Sequence, residues 1–86
     1  RRQGVTPTIV QMREQFERIR TAELDKLDGK MSDEDLDKVD RMTRAMVNKL
    51  LHHPTVQMKQ SATQPEGGSL VKALRLLLGL DEEGGR

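Results

Sequence analysis

The residues best able to do chemistry in this sequence are His52 and His53, an acidic run from Asp33 to Asp40, and the glycine pair Gly67-Gly68. Adjacent imidazoles suggest metal ligation or proton transfer. Neighbouring helical positions point about 100° apart, however, so the two rings cannot readily share one ion. No cysteine or carboxylate stands at ligand spacing beside them. The simpler reading is two cations at a helix C-terminus, where the macrodipole favours His⁺ by roughly 0.3–1 kcal/mol. Asp33, Glu34, Asp35, Asp37 and Asp40 lack the spaced aspartates, central glycine and distal glutamate of a calcium hand. They read as the solvated start of a helix. Gly67-Gly68-Ser69 could hold a phosphate on a helix N-terminus, but no strand precedes it and no basic residue adjoins it. A loop and an N-cap explain it. No catalytic, cofactor-binding or metal site emerges from these residue types.

Arginines 13, 18, 20, 41 and 44 could contact RNA phosphates. They alternate with Glu14, Glu17, Glu23, Asp37 and Asp40 at pairing distances, so most of that charge should be neutralised within the helices. Phe16, the single aromatic residue, lies on an apolar stripe and offers no stacking platform. Met12, Met42 and Met46 also fall on stripes and read as core.

The elements that position these residues are helical throughout. Thr6-Pro7 is a good helix opening, and Ile9, Met12, Phe16 and Ile19 follow at 3-4-3 spacing. After a phase shift near Ala22 the stripe resumes at Leu24, Leu27 and Met31. The spacing predicts a first helix over residues 7–28, stopped by Gly29. Ser32 to Asp35 resembles a capping box and opens a second helix, which Pro54 should end after His53. Its seam is regular: Leu36, Val39, Thr43, Met46, Leu50. Met42, Val47 and Leu51 widen it, and a helix apolar on more than one side needs more than one neighbour. Thr55 should cap a short third helix through Ala62. Ser69 should cap a last one from Leu70 to Leu78, closed by Gly79-Leu80. That last helix carries Leu70, Val71, Ala73, Leu74, Leu76, Leu77 and Leu78, too apolar a set to sit exposed. Residues 81–86 form a polar tail expected to fray. No stretch alternates in a β-like way. The expected fold class is all-α: a small bundle of four helices in one domain over residues 1–86.

Composition then limits what such a bundle can do alone. The chain has 86 residues, 34% hydrophobic and 34% charged, with no Cys, Trp or Tyr. Disulfides, thiolate zinc sites and thiol catalysis are therefore excluded. A net charge of +1 gives no strong global attraction for nucleic acid or acidic lipid. The longest apolar run is three leucines, far short of the ~20 residues of a membrane span. There is no apolar signal segment, and the absence of cysteine fits a cytoplasmic protein. The sequence opens on Arg1 rather than Met, as a piece of something longer would. So small a core lacking staples calls for a partner. It reads as half a core.

Three segments give that expectation a family. Asn48-Lys49-Leu50-Leu51-His52-His53-Pro54-Thr55 resembles the Asn-Lys-Leu-x-His-x-Pro-Thr stretch of the glutamyl-tRNA reductase family, in its C-terminal dimerisation domain. Ile19-Arg20-Thr21-Ala22-Glu23-Leu24 is similar to the family's Ile-Arg-x-x-Glu-Leu, and Leu74-Arg75-Leu76-Leu77-Leu78-Gly79-Leu80 to its Leu-Arg-x-x-x-Gly-Leu. In order and spacing they span nearly the whole chain. The departure is Leu76-Leu77-Leu78, all apolar where the family usually has a polar residue. This implies a more deeply buried last helix or a patch that a partner covers.

The resemblance implies a dimerisation domain from a three-domain, NADPH-dependent oxidoreductase of tetrapyrrole (porphyrin) biosynthesis, which converts glutamyl-tRNA to glutamate-1-semialdehyde. Its nucleophilic cysteine and its dinucleotide site belong to the other two domains, so this piece should neither bind NADPH nor catalyse. Its expected partner is a second copy of itself, in a two-fold homodimer; contact with tRNA is left open. The interface candidates are Leu36, Val39, Met42, Thr43, Met46 and Leu50 on the second helix, with Leu74 and Leu77 on the last. A generic helical adaptor and an auxiliary tRNA-binding module remain as alternatives.

Overall fold

A computed structural model describes residues 4–81 as three α-helices: α1 Val5–Asp25, α2 Asp33–Ser61 and α3 Gly67–Leu78. Strands are absent among the described residues. α1 and α2 form a long hairpin, and the shorter α3 packs across one end of it.

α1 starts two residues before the expected Pro7. Gly4 is the N-cap and supplies no side-chain hydrogen bond. Pro7 occupies the third helical position, where its missing N–H is still one of the unpaired donors of the first turn. After Asp25 the chain tightens into i→i+3 bonds, Lys26 N to Glu23 O and Leu27 N to Leu24 O. Gly29 then turns the chain at φ +79°. The cap of α2 is as expected: Ser32 Oγ accepts from Asp35 N at 3.1 Å. Gly79 closes α3 in the left-handed region at φ +68°.

Three further expected boundaries are not observed. Pro54 does not end the second helix, and the short third helix is its continuation, so α2 runs unbroken to Ser61. Proline inside a helix costs about 3 kcal/mol. Here Leu51 lies before it and Met58 after it, both almost fully buried, and this burial on either side offsets the cost. His52 and His53 consequently lie in mid-helix, exposed, rather than at a C-terminus. Thr55 caps nothing, and its buried hydroxyl lacks a hydrogen-bond partner. The last helix begins at Gly67 and leaves Ser69 inside it, with Glu66 as an N-cap that makes no side-chain bond. The reason is a close approach of backbones. A Cβ on Gly67 would lie 2.1 Å from the Ser61 carbonyl oxygen.

The core is small. Among the described residues Met12, Leu51, Met58, Val71 and Leu80 are its buried hydrophobics, while eight large hydrophobics stay exposed. α3 turns Gly67, Val71 and Arg75 inward, yet Leu76 is 74% and Leu77 80% exposed. The last helix is thus not buried all round as its composition suggested. The radius of gyration is 15.7 Å, against ~12 Å for a compact chain of this length. An elongated molecule that exposes more large apolar side chains than it buries fits a core completed by another chain. Of the tail expected to fray, only Asp81 is described, and it pairs with Arg75. Residues 82–86 lie outside the described residues.

Candidate functional site

Two buried arginines clip the helices together and determine where the apolar surface is left open. Arg20 on α1 is 6% exposed. Its Nε donates to Glu17 Oε1 at 3.0 Å and its Nη2 to Glu17 Oε2. Across the hairpin, Nη1 donates to Asp40 Oδ1 at 2.8 Å and more weakly to Thr43 Oγ1 at 3.4 Å. Arg44 braces the same aspartate, Nη2 to Oδ2 at 3.1 Å. On the other side of the fold Arg75 of α3, 4% exposed, donates from Nη1 to Thr8 Oγ1 at 3.0 Å and from Nε to Asp81 Oδ1 at 2.7 Å. Gln15 Nε2 donates to the Leu78 carbonyl at 2.7 Å. α3 therefore ends beside Gln15, midway along α1.

Beyond that point the hairpin has no third helix, and a groove of about 360 Å³ opens between α1 and α2. Phe16, Ile19, Leu24 and Leu27 line one side, and Val39, Met46, Val47 and Leu50 the other. Arg20, Glu23 and Thr43 complete the lining. Ile19 is 59% and Leu50 63% exposed. The uncovered part of α2, Val39 to Leu50, is about 17 Å long at 1.5 Å per residue. Such a concave, largely apolar strip is suited to receiving another helix.

The interface candidates do not all share this strip. Val39, Thr43, Met46 and Leu50 line it. Leu36 is half-buried and Met42 exposed, and neither lines the groove. Leu74 and Leu77 belong to α3, half-buried and exposed respectively, and do not line it either. Thr43 also serves its own chain, since its hydroxyl donates to Val39 O at 2.8 Å while receiving Arg20. What the apolar pattern missed was the polar core: Thr8, Arg20, Ser61 and Arg75 are all buried. A signal for Arg20 and Arg75 was present, because each stands inside one of the motif segments. Asn48, in the third, accepts from Arg13 Nη2 at 2.7 Å. These three motif residues each bond to another helix.

The chemical readings of the sequence can be located as well. Among the described residues no group of three or more His, Cys, Asp and Glu is placed to hold a metal ion, and no helix is long and apolar enough to cross a membrane. The Cβ side of Gly67 is occupied by the Ser61 carbonyl, and the Gly67 N–H is bonded to the Gln64 carbonyl at 3.1 Å, so this glycine serves the α2–α3 junction. Gly67-Gly68 also follows a helix rather than a strand, so a dinucleotide loop does not fit these residues. Arg41 pairs with Asp37 Oδ2 at 2.7 Å, the i,i+4 bridge expected from the sequence.

The Arg20 cluster makes a pH prediction. Hydrogen bonds from Arg20 hold both Glu17 and Asp40 below the usual carboxylate range, Arg44 adding to the effect at Asp40. Their effect raises the Arg20 pKa further still. Carboxylates with a depressed folded pKa contribute stability that is present above roughly pH 4 and is lost as pH falls through the folded value. The arginine contribution is complete at every pH below its unfolded pKa. Arg20→Met should therefore lower the melting temperature by roughly 5–15 °C near neutral pH. The gap from wild type should narrow below about pH 3. Thermal unfolding of both proteins at equal concentration checks this; a gap constant with pH would show that packing, not charge, sets the contribution of Arg20.

Residues 1–80 match the family model described as glutamyl-tRNAGlu reductase, dimerisation domain. The chain is 41% identical over 80 residues to a glutamyl-tRNA reductase of Thermobifida fusca, covering 90% of this chain and 17% of that protein. It is 34% identical over 82 residues to glutamyl-tRNA reductase 2 of Koribacter versatilis, covering 92% and 19%. The chain thus spans less than a fifth of the length of these relatives. No solved structure matches.

Proposed function

The chain belongs to the dimerisation-domain family of glutamyl-tRNA reductase, and from that premise we propose that it joins two subunits of such an enzyme by pairing with a second copy of itself. The observation that carries this reading is the open groove between α1 and α2, lined by Ile19, Leu24, Val39, Met46 and Leu50. In the proposed dimer the grooves of two copies face each other about a two-fold axis, a self-complementary contact. Covering them removes apolar surface from water at about 25 cal/mol per Å². Leu36, Met42, Leu74 and Leu77 flank this contact and belong to its outer part. Residues 1–86 act as one dimerisation domain.

The reductase reaction is proposed for the whole cytoplasmic protein: NADPH-dependent conversion of glutamyl-tRNA to glutamate-1-semialdehyde, feeding tetrapyrrole synthesis. This piece supplies no catalytic group. NADPH, the reacting cysteine and the charged tRNA end belong to domains outside it. Its task is mass action, since folding and association are linked and apparent stability rises with concentration. Sedimentation over about a hundredfold range of concentration, read alongside helicity, tests the proposal. The expected result is a dimer whose melting temperature climbs with concentration; a well-folded monomer throughout would overturn it.

A further inference from the structure

We propose that the outer face of α2 is a docking surface for an RNA phosphate backbone. At about 100° per residue, Lys38, Arg41, Lys49, His52 and Lys59 all fall within about 40° of the direction of Ala45. Every one of them is exposed. The buried residues Leu51, Met58 and Ser61 point the opposite way. The groove residues Val39, Met46 and Leu50 lie on the flank between the two, so a dimer closed through the groove leaves this face free. The stripe extends about 32 Å from Lys38 to Lys59.

Its charge is neutralised only in part. Among the described residues no ion pair reaches Lys38, Lys49 or Lys59; only Arg41 is bridged, to Asp37. Glu34, in the first turn, is the single acid on the stripe, while Asp33, Asp35, Asp37 and Asp40 point elsewhere by the same helical geometry. A near-neutral chain thus concentrates four permanent cations and a histidine on one side of one helix. The stripe is not evident as a charge run, because its lysines recur at ten- and eleven-residue intervals.

The composition of the stripe selects the partner. Lysine is depleted in protein–protein interfaces, which favour aromatic anchors, and the stripe has no ring. A membrane-surface helix needs large apolar groups to insert; here only Ala45 and the half-buried Val56 are apolar. Lysines without stacking side chains match sequence-independent contact with phosphates. That the polyanion is RNA rests on the reading of the chain as part of an enzyme that handles tRNA. The proposed dimer carries two such stripes.

The test is binding of uncharged glutamate tRNA to the protein across a salt series, with its mass measured in the same buffers. Lys38→Gln/Lys49→Gln/Lys59→Gln should weaken binding at least about tenfold at low salt and flatten the slope of log K against log salt by roughly 2–3. Lys26→Gln/Lys30→Gln/Lys72→Gln makes the same charge change off the stripe and should have little effect. Lysine-to-arginine replacement on the stripe should retain binding. Equal loss in both glutamine triples, no tRNA binding at low salt, or binding only to phosphatidylserine vesicles would each overturn the proposal. A dimer that fails to bind tRNA sinks the docking surface alone, whereas a protein that is monomeric throughout sinks the dimer reading.

Discussion

Leu50→Asp is expected to turn the dimer into a folded monomer. The Leu50 side chain is 63% exposed in the single chain, so an aspartate there meets water and disturbs little of the fold. Across the proposed interface the same carboxylate would face a largely apolar groove whose lining arginine, Arg20, is already paired with Glu17 and Asp40, and burying an unpaired charge is costly. The expected rise in Kd is at least about a hundredfold, the scale of a central interface residue. Helicity should be almost unchanged. Met46→Asp, on the same wall of the groove, should behave alike. Sedimentation and circular dichroism over a range of concentration decide it. A mutant dimer as tight as wild type would remove Leu50 from the interface. Leu77→Asp, on the outer side of α3, is the comparison: a loss as great as that from Leu50→Asp would move the centre of the contact from the groove to α3.

Gly67→Ala is expected to be the most damaging single-methyl change in the chain, and Gly68→Ala one of the more benign. A Cβ at Gly67 would sit 2.1 Å from the Ser61 carbonyl oxygen and 3.1 Å from its carbon. Both are backbone atoms at the end of α2 and cannot swing aside. The α2–α3 junction would have to open, separating Val71 and Arg75 from the hairpin, at an expected cost of more than about 3 kcal/mol. Nothing lies within 4 Å of a Cβ on Gly68, which is helical with a negative φ. Alanine there should stabilise by about 0.5–1 kcal/mol. Chemical denaturation of the two variants at one protein concentration gives the comparison. Similar stabilities would mean that α3 does not pack as closely as the structure has it.

Much of this fold was legible in the sequence because the signals were local. Ser32 announces the start of α2 through a bond three residues away, and Gly79 ends α3 because a left-handed cap favours glycine. The seam Leu36, Val39, Thr43, Met46, Leu50 was visible as spacing, and all of it but Leu36 lines the groove. The misreadings have one physical source. Pro54 signals a helix end, Thr55 and Ser69 signal helix starts, and each is overruled by packing: Leu51 and Met58 are buried on either side of the proline, and Gly67 is held against Ser61. Polar residues in the interior were equally hidden. Arg20 and Arg75 are buried because their partners stand on other elements or beyond the helix end, Asp40 from Arg20 and Thr8 and Asp81 from Arg75.

The site divides along the same line. By itself the sequence determined that the fold is all-α, that no thiol is present, and that its apolar residues outnumber the places one small core has for them. Those properties follow from residue type and period, which act within a few turns. Only the tertiary structure decided which apolar residues stay open. Because Gln15 and Thr8 anchor α3 to one half of the hairpin, the other half keeps Ile19 and Leu50 uncovered and turns the lysines of α2 away from it. Where a short third helix stops along two longer ones depends on contacts between residues more than sixty positions apart, and no local pattern encodes that.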